Sequence, residues 1–324
     1  MKTDTPASHI HILCCTDSNY LPYTGVMLTS LLSNNRRHDI DIYVATTDNN
    51  NENHRRLNIL ADIFSCRIHI IHINQAEIDA LPDAKDSWPK EAYLRLTCLD
   101  RLPTNVTKVL YLDGDIIVNT DIGPLWETPM KGKAVAAAPD INNYITDYRH
   151  RLNISSQYFN SGVMLMDIVQ CRRIAMSRRC IHLISTLTLE YPDQDALNIV
   201  LEGQVAYVSQ KWNLVDGYLL TRNQGRLPSK IKKLIHAAAT TRRSAIIHYT
   251  GIYKPWRVGT YMFHPMYAIW HKFYRRSPWH NLDILRHIPA NILKRITITR
   301  LKTLHIFGLR SSYNDTWTLI SRKS

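Results

Sequence analysis

The feature that most narrows the fold of this chain is an alternation. Near-continuous apolar runs of strand length, "HIHILCC" (9–15), "DIDIYVAT" (39–46), "CRIHIIHI" (66–73) and "VTKVLYLD" (106–113), are separated by segments of helical pattern at 23–34, 51–64 and about 89–102. Two further runs follow, "AVAAA" (134–138) and "GVMLMD" (162–167). A strand that is apolar at nearly every position is buried on both faces, and helices between such strands supply the covering layers. The pattern predicts an α/β, Rossmann-like domain with a mostly parallel sheet. Pro89 suits the first position of the third helix. Ligands of such sheets bind beyond the carboxyl ends of the strands, and Asp17 and Asp113 lie at two of those ends.

Length and charge refine this picture. At 324 residues, 45% hydrophobic and 21% charged, the chain has ample material for a core. No apolar run reaches the roughly 18 residues of a membrane span, and the chain is expected to be cytoplasmic. The six cysteines show neither a C-x-x-C pair nor zinc spacing, which predicts free thiols in a reducing compartment. Of the net charge of +13, residues 271–324 carry +9, from 11 Lys/Arg against two acids. A basic tail on a near-neutral body suggests an attachment device or, equally, a solvated helical face packed on the domain by its apolar side, and no nucleic-acid partner is expected. Leu285, Ile288, Ile292 and Ile296 recur at helical spacing in that tail, with Arg286, Lys294 and Arg295 among them. The expected division is a domain over 1–262 and a basic helical C-terminal extension over 263–324.

Chemistry enters at "LYLDGDIIVNTD" (110–121), where two carboxylates interrupt the most apolar stretch. Residues i and i+2 of a strand project to one side, so Asp113 and Asp115 converge if the strand ends there, with Gly114 permitting the bend. Two carboxylates this close repel unless a cation satisfies both, as Mg²⁺ or Mn²⁺ does. Alone, the triplet reads better as an Asp-Gly turn capping backbone N–H groups. Its company changes the balance. "AIIHYTGIYKPW" (245–256) delivers His248 as a nitrogen ligand, Gly251 for close approach and Lys254 as a cation for phosphate oxygens. "QYFNSGVMLMD" places Asn160 and Ser161 before an apolar strand, and "YPDQDALN" places Asp193, Gln194 and Asp195 at a helix start, where acids also serve as caps. A nucleotidyl- or phosphotransferase also pairs carboxylates around Mg²⁺, but no phosphate-cradling glycine loop accompanies these.

Together these residues resemble the family 8 glycosyltransferases, the retaining enzymes of the glycogenin and bacterial lipopolysaccharide galactosyl/glucosyltransferase type. Six motifs stand in the family's order: "TDSNY" (16–20), "AYLRL" (92–96), "YLDGD" (111–115), "YFNSG" (158–162), "YPDQD" (191–195) and "HYTGIYKPW" (248–256). The likeness covers roughly residues 9–260 and implies a nucleotide-sugar-binding domain of the glycosyltransferase A type. The segment beginning "HPMYAIWHKFYRRSPWHN" is similar to the C-terminal extension of the lipopolysaccharide-core branch.

The resemblance implies that Asp113, Asp115 and His248 hold Mn²⁺ or Mg²⁺ against the diphosphate of UDP-glucose or UDP-galactose. Thr16, Asp17, Asn19 and Tyr20 would hold the uridine, with Tyr20 stacking on the base. Arg95, Asn160, Asp193 and Gln194 would surround the donor hexose, while Gly114, Gly251 and Lys254 would lie against the diphosphate and Trp256 would shape the pocket. The acceptor would be a lipopolysaccharide core oligosaccharide, with the enzyme peripheral on the inner face of the bacterial inner membrane through its basic tail; the alternative is a family 8 enzyme acting on another glycolipid, a polysaccharide or a protein. Gln194, a poor nucleophile, would lie nearest the sugar's β-face, which implies same-face attack; Asp195 is the reserve nucleophile.

Overall fold

The computed structural model describes residues 7–83, 89–140, 148–215, 229, 244–250, 254–258, 266–281 and 286–287. The apolar runs pair into a seven-stranded sheet of order β3-β2-β1-β4-β7-β6-β8. Its strands are β1 (His9–Thr16), β2 (Asp39–Thr46), β3 (Arg67–His72), β4 (Lys108–Leu112), β6 (Val135–Pro139), β7 (Phe159–Asp167) and β8 (Val205–Tyr207). The pairs β1/β2, β2/β3, β1/β4 and β6/β8 are parallel, and only β7 runs against its neighbours β4 and β6. The mostly parallel α/β sheet is therefore observed, with one reversed strand. Three strands, β5 (Ile116–Val118), β9 (Leu214–Val215) and β10 (Ile246–His248), form a second sheet of order β5-β10-β9.

Side-chain alternation divides the core in two. Ile10, Ile12 and Cys14 of β1 enter one apolar cluster, together with Val26 and Leu28 of α1 (Leu21–Asn34). Leu13 and Tyr111 enter the other, with Cys180 of α3 (Met176–Thr186) and Leu197 of α4 (Pro192–Val200). Helix α2 (Asn51–Phe64) starts as its sequence requires, with the Asn50 side chain accepting from the backbone N–H of Glu52 and Asn53. It ends at Ser65 in the left-handed region, φ 52°.

The third helix differs from expectation. Residues 90–101 form three short turns, Lys90–Tyr93, Leu94–Thr97 and Cys98–Arg101, and Pro89 precedes the first of them. At the break, the Arg95 Nε donates to the carbonyl of Ala92 at 3.0 Å, serving an oxygen that a continuous helix would use itself. The kink aims Arg95 at the ends of the central strands.

The proposed domain boundary falls within residues 259–265, outside the described residues, as do 288–324. The described start of the extension packs on the first domain. Helix α5 (Tyr267–Tyr274) buries Ile269, Trp270 and Phe273 in the cluster shared with α1. Trp279 lies so close to α1 that a Cβ at Gly25 would meet its ring at 2.2 Å. Its indole N–H donates to Asn53 Oδ1 at 3.1 Å. Among the described residues no helix is long and apolar enough to cross a membrane.

Candidate active site

Strand β4 ends at Leu112 and β5 begins at Ile116, so Asp113-Gly114-Asp115 is the link between the two sheets. The Asp113 N–H donates to the carbonyl of Gly162 at 2.9 Å, fixing the link to β7. Antiparallel pairing of β10 with β5 places His248 opposite Ile116, beside the same link. His248 Nε2 stands 3.1 Å from Asp115 Oδ1 and 3.6 Å from Asp113 Oδ2. One ligand atom from each of the three residues lies within 4.8 Å of the others.

Gly114 does not have a positive φ, so backbone freedom is not its reason for being there. A Cβ would stand 2.4 Å from Thr24 Oγ1, and close approach of α1 is the constraint. Gly162 forms the floor between these side chains: a Cβ there would lie 2.1 Å from His248 Cε1 and 2.6 Å from Asp113 Oδ2. That cleared floor, with two carboxylates and one imidazole converging above it, fits a hard divalent ion.

Each of the three side chains is held from behind. Tyr111 donates to Asp113 Oδ1 at 2.7 Å, and Arg95 Nη2 stands 3.0 Å from the same oxygen. Lys254 Nζ lies 2.6 Å from Asp115 Oδ2. Burial alone would raise the Asp115 pKa, but Lys254 and His248 outweigh it and hold the carboxyl well below its usual range. His248 is pulled the other way. Burial lowers its pKa, Asp115 raises it by more, and the net value lies above the ordinary 6.5.

A hydrogen-bonded chain runs from this cluster to Asp140. His248 Nδ1 faces Asn213 Oδ1 at 3.0 Å. Asn213 Nδ2 donates to Asn160 Oδ1 at 2.8 Å, and Asn160 Nδ2 donates to Asp140 Oδ2 at 3.0 Å. Gln194 is fixed at both ends of its amide. Its Oε1 accepts from the Ser161 N–H at 3.0 Å, and its Nε2 donates to the Tyr158 hydroxyl at 3.0 Å. Arg95 joins the two regions, with Nε 3.2 Å from Asp193 Oδ2. Asp193 is 3% exposed, and its other oxygen, Oδ1, is a buried acceptor with no hydrogen-bond partner.

The structure thus brings Arg95, Asp113, Gly114, Asp115, Asn160, Asp193, Gln194, His248 and Lys254 to one place. Thr16, at the carboxyl end of β1, accepts from the Thr24 hydroxyl at 3.2 Å; Asp17 Oδ1 accepts from the Tyr20 N–H at 2.6 Å, and Asn19 is exposed. Tyr20 sits edge-on to Trp256 with ring centroids 5.7 Å apart. Trp256 itself is buried, stacked on Tyr23 at 4.2 Å. Gly251 lies outside the described residues. Asp195 has another occupation. It accepts from the hydroxyls of Tyr148 and Tyr158 at 2.7 and 2.5 Å and from the N–H groups of Glu190 and Tyr191, both at 3.0 Å, and is 0% exposed. A carboxylate so enclosed positions other groups.

Sequence reasoning passed over Tyr111, Asp140, Gly162 and Asn213. Asp140 follows β6 directly, so the rule that selected Asp17 and Asp113 would have found it. Tyr111 reads as one more core residue, and Asn213 stands in a short link with no pattern around it.

Comparison with known proteins agrees with this geometry. The model of glycosyl transferase family 8 matches residues 11–259. The chain belongs to that family. A lipopolysaccharide 1,2-glucosyltransferase of Escherichia coli K12 is 28% identical over 81% of this chain and 77% of its own length. The lipopolysaccharide 1,3-galactosyltransferase of Salmonella typhimurium is 24% identical over 89% of this chain and 84% of its own. Among solved structures, the galactosyltransferase LgtC, crystallised with donor and acceptor sugar analogs, superposes with a TM-score of 0.67 at 22% identity, covering 84% of this chain and 99% of that one. The protein is a family 8 glycosyltransferase with the glycosyltransferase A fold, similar to lipopolysaccharide glucosyl- and galactosyltransferases.

Proposed function

We propose that the protein moves glucose or galactose from a UDP-sugar to a hydroxyl of a lipopolysaccharide core oligosaccharide, with retention at the anomeric carbon. The observation that carries this reading is the Arg95 bridge, 3.0 Å from Asp113 and 3.2 Å from Asp193. It ties a cluster suited to a metal and diphosphate to polar side chains, Asn160, Asp193 and Gln194, suited to a sugar. The names of the lipopolysaccharide-acting relatives support the acceptor class.

Asp113, Asp115 and His248 would hold Mn²⁺ or Mg²⁺, which when bound supplies charge neutralisation to the departing diphosphate. Lys254 adds a fixed ammonium beside the same cluster. Thr16, Asp17, Asn19 and Tyr20, at the turn from β1 into α1, face the nucleoside end. Asp193 Oδ1, buried and without a partner, accepts a hydroxyl of the donor hexose. Asn160 and Gln194 complete that wall.

An amide gripped by Ser161 and Tyr158 cannot serve as a leaving and returning nucleophile. The acceptor hydroxyl therefore enters on the face the diphosphate leaves. Its oxygen bonds to the anomeric carbon as the carbon–phosphate oxygen bond breaks, and its proton passes to the departing diphosphate. Gln194 Oε1 stabilises the positive charge at that carbon. The basic segment 271–324, net +9, is assigned to attachment at an anionic membrane surface on the strength of its charge.

Incubation with each UDP-sugar and a truncated lipopolysaccharide core, followed by NMR of the new linkage, tests this. An α-linked hexose is expected. A β-linked product, or a hexose trapped covalently on Asp193 or Asp195, overturns the mechanism.

A further inference from the structure

At the opposite end of the central strands lies a second convergence of metal-ligating side chains. Parallel register sets His11 beside Asp41 and Asp41 beside Arg67, and it sets His9 beside Asp39. By strand alternation, His9 and His11 share one face with Leu13, and Asp41 joins them from β2. His9 Nε2 stands 2.6 Å from Asp41 Oδ2, and His11 Nδ1 stands 3.8 Å from the same oxygen. The ligand atoms of the three residues lie within 4.8 Å of one another. His11 Nδ1 is a buried ring nitrogen with no hydrogen-bond partner, turned toward this oxygen. A buried polar atom left unpaired is costly, and a ligand at this point removes that cost.

We propose that His9, His11 and Asp41 form a second divalent-metal site, of the zinc type, distinct from the Asp113–Asp115–His248 cluster. Two imidazoles and one carboxylate are the donor types Zn²⁺ takes, with metal–ligand distances near 2.0–2.2 Å and water as a fourth ligand. The strand rise separates His11 from Asp17 by roughly 20 Å, so the two clusters cannot share an ion. The carboxylate is already oriented from outside: Asp41 Oδ1 receives Arg67 Nε at 2.5 Å and His69 Nε2 at 3.2 Å, leaving Oδ2 toward His9 and His11. Such partners behind a ligand are the usual companions of metal sites.

Arg67 is also the competitor. Its Nη2 stands 3.3 Å from His9 Nε2 and 3.2 Å from Asp41 Oδ2, where an ion would bind. The side chain is half-exposed and has a second anchor, since Nη2 is 2.9 Å from both oxygens of Asp39. Entry of the metal requires that Nη2 withdraw onto Asp39 and that the 2.6 Å His9–Asp41 hydrogen bond give up its proton. The bound ion would pin the starts of β1 and β2 together, at the end of the sheet away from the reaction.

The test uses the full chain, stripped with chelator and titrated with Zn²⁺ alone, reading bound metal by elemental analysis and the thermal midpoint in parallel. Asp115→Asn isolates the new site. In that background the inference expects about one Zn²⁺ per chain and a Zn²⁺-dependent rise in midpoint. Addition of His9→Gln, at a half-exposed position that leaves the fold intact by circular dichroism, should lower the affinity at least tenfold and abolish the rise. Undiminished Zn²⁺ binding in the His9→Gln chain, or no Zn²⁺ on the Asp115→Asn chain, overturns the inference.

Discussion

Asn213 Oδ1 lies 3.0 Å from His248 Nδ1, and this contact decides which face of the imidazole meets the carboxylates. Because Asn213 Nδ2 is committed to Asn160, its oxygen must face the ring, and His248 Nδ1 must carry the proton. Nε2 is then directed at Asp113 and Asp115. Asn213→Ala should weaken Mn²⁺ binding about 10–100-fold, the usual effect of losing a partner behind a metal ligand. Calorimetric titration with Mn²⁺ measures it; unchanged affinity would show that the ring is held by other means.

Gly162 makes a sharper prediction. A methyl group there displaces His248 or Asp113 by about 1 Å or more, a misplacement that costs roughly 10²-fold in rate. Gly162→Ala should therefore lose transfer activity per folded molecule, beyond the overpacking cost of about 1–3 kcal/mol in stability. A midpoint drop with activity retained per folded molecule would contradict this account of the floor.

The raised pKa of His248 gives a pH dependence with a definite sign. Without metal, the protonated ring paired with Asp115 contributes stability below the ordinary value of 6.5, and that contribution is lost as pH rises through the higher folded value. A divalent ion must displace the proton, so Mn²⁺ affinity should climb as pH rises through the same interval. Titrations across that range check it, and His248→Gln should flatten the curve.

The neighbouring acids should separate by role. Asp195→Asn leaves one or more tyrosine hydroxyls and backbone N–H groups poorly served and should cost about 1–3 kcal/mol of stability. For a chain of this size that is a shift of about 1.5 °C per kcal/mol, readable by calorimetry. Asp193→Asn should instead leave the midpoint nearly intact and reduce turnover about 10²-fold or more, because it removes the charge Arg95 balances beside the donor. Equal loss of turnover in both, with no loss of stability in Asp195→Asn, would return Asp195 to the chemistry.

Much of this was legible in the chain itself, and the exceptions share a cause. Period and apolarity located β1, β2, β3 and α2 within a residue or two, since strands buried on both faces write their burial into every position. The reversal of β7 was not legible, because an antiparallel strand at the centre of a sheet is as apolar as a parallel one. The segment after Pro89 has helical periodicity but breaks to aim Arg95, a tertiary demand that outweighs a local preference. Asp113, Asp115, His248 and Lys254 stood out because charge in an apolar setting is conspicuous. Gly162 and Asn213 did not, since the importance of each depends on what faces it from 35 or more residues away.

The most direct test of the central claim is donor hydrolysis by the purified protein across a panel of UDP-sugars, with Mn²⁺ and with EDTA, alongside Asp113→Asn and Asp115→Asn. The account predicts turnover of UDP-glucose or UDP-galactose with Mn²⁺, its loss in EDTA, and its absence from both folded variants. Full activity in EDTA, or turnover of no UDP-sugar at all, would contradict it.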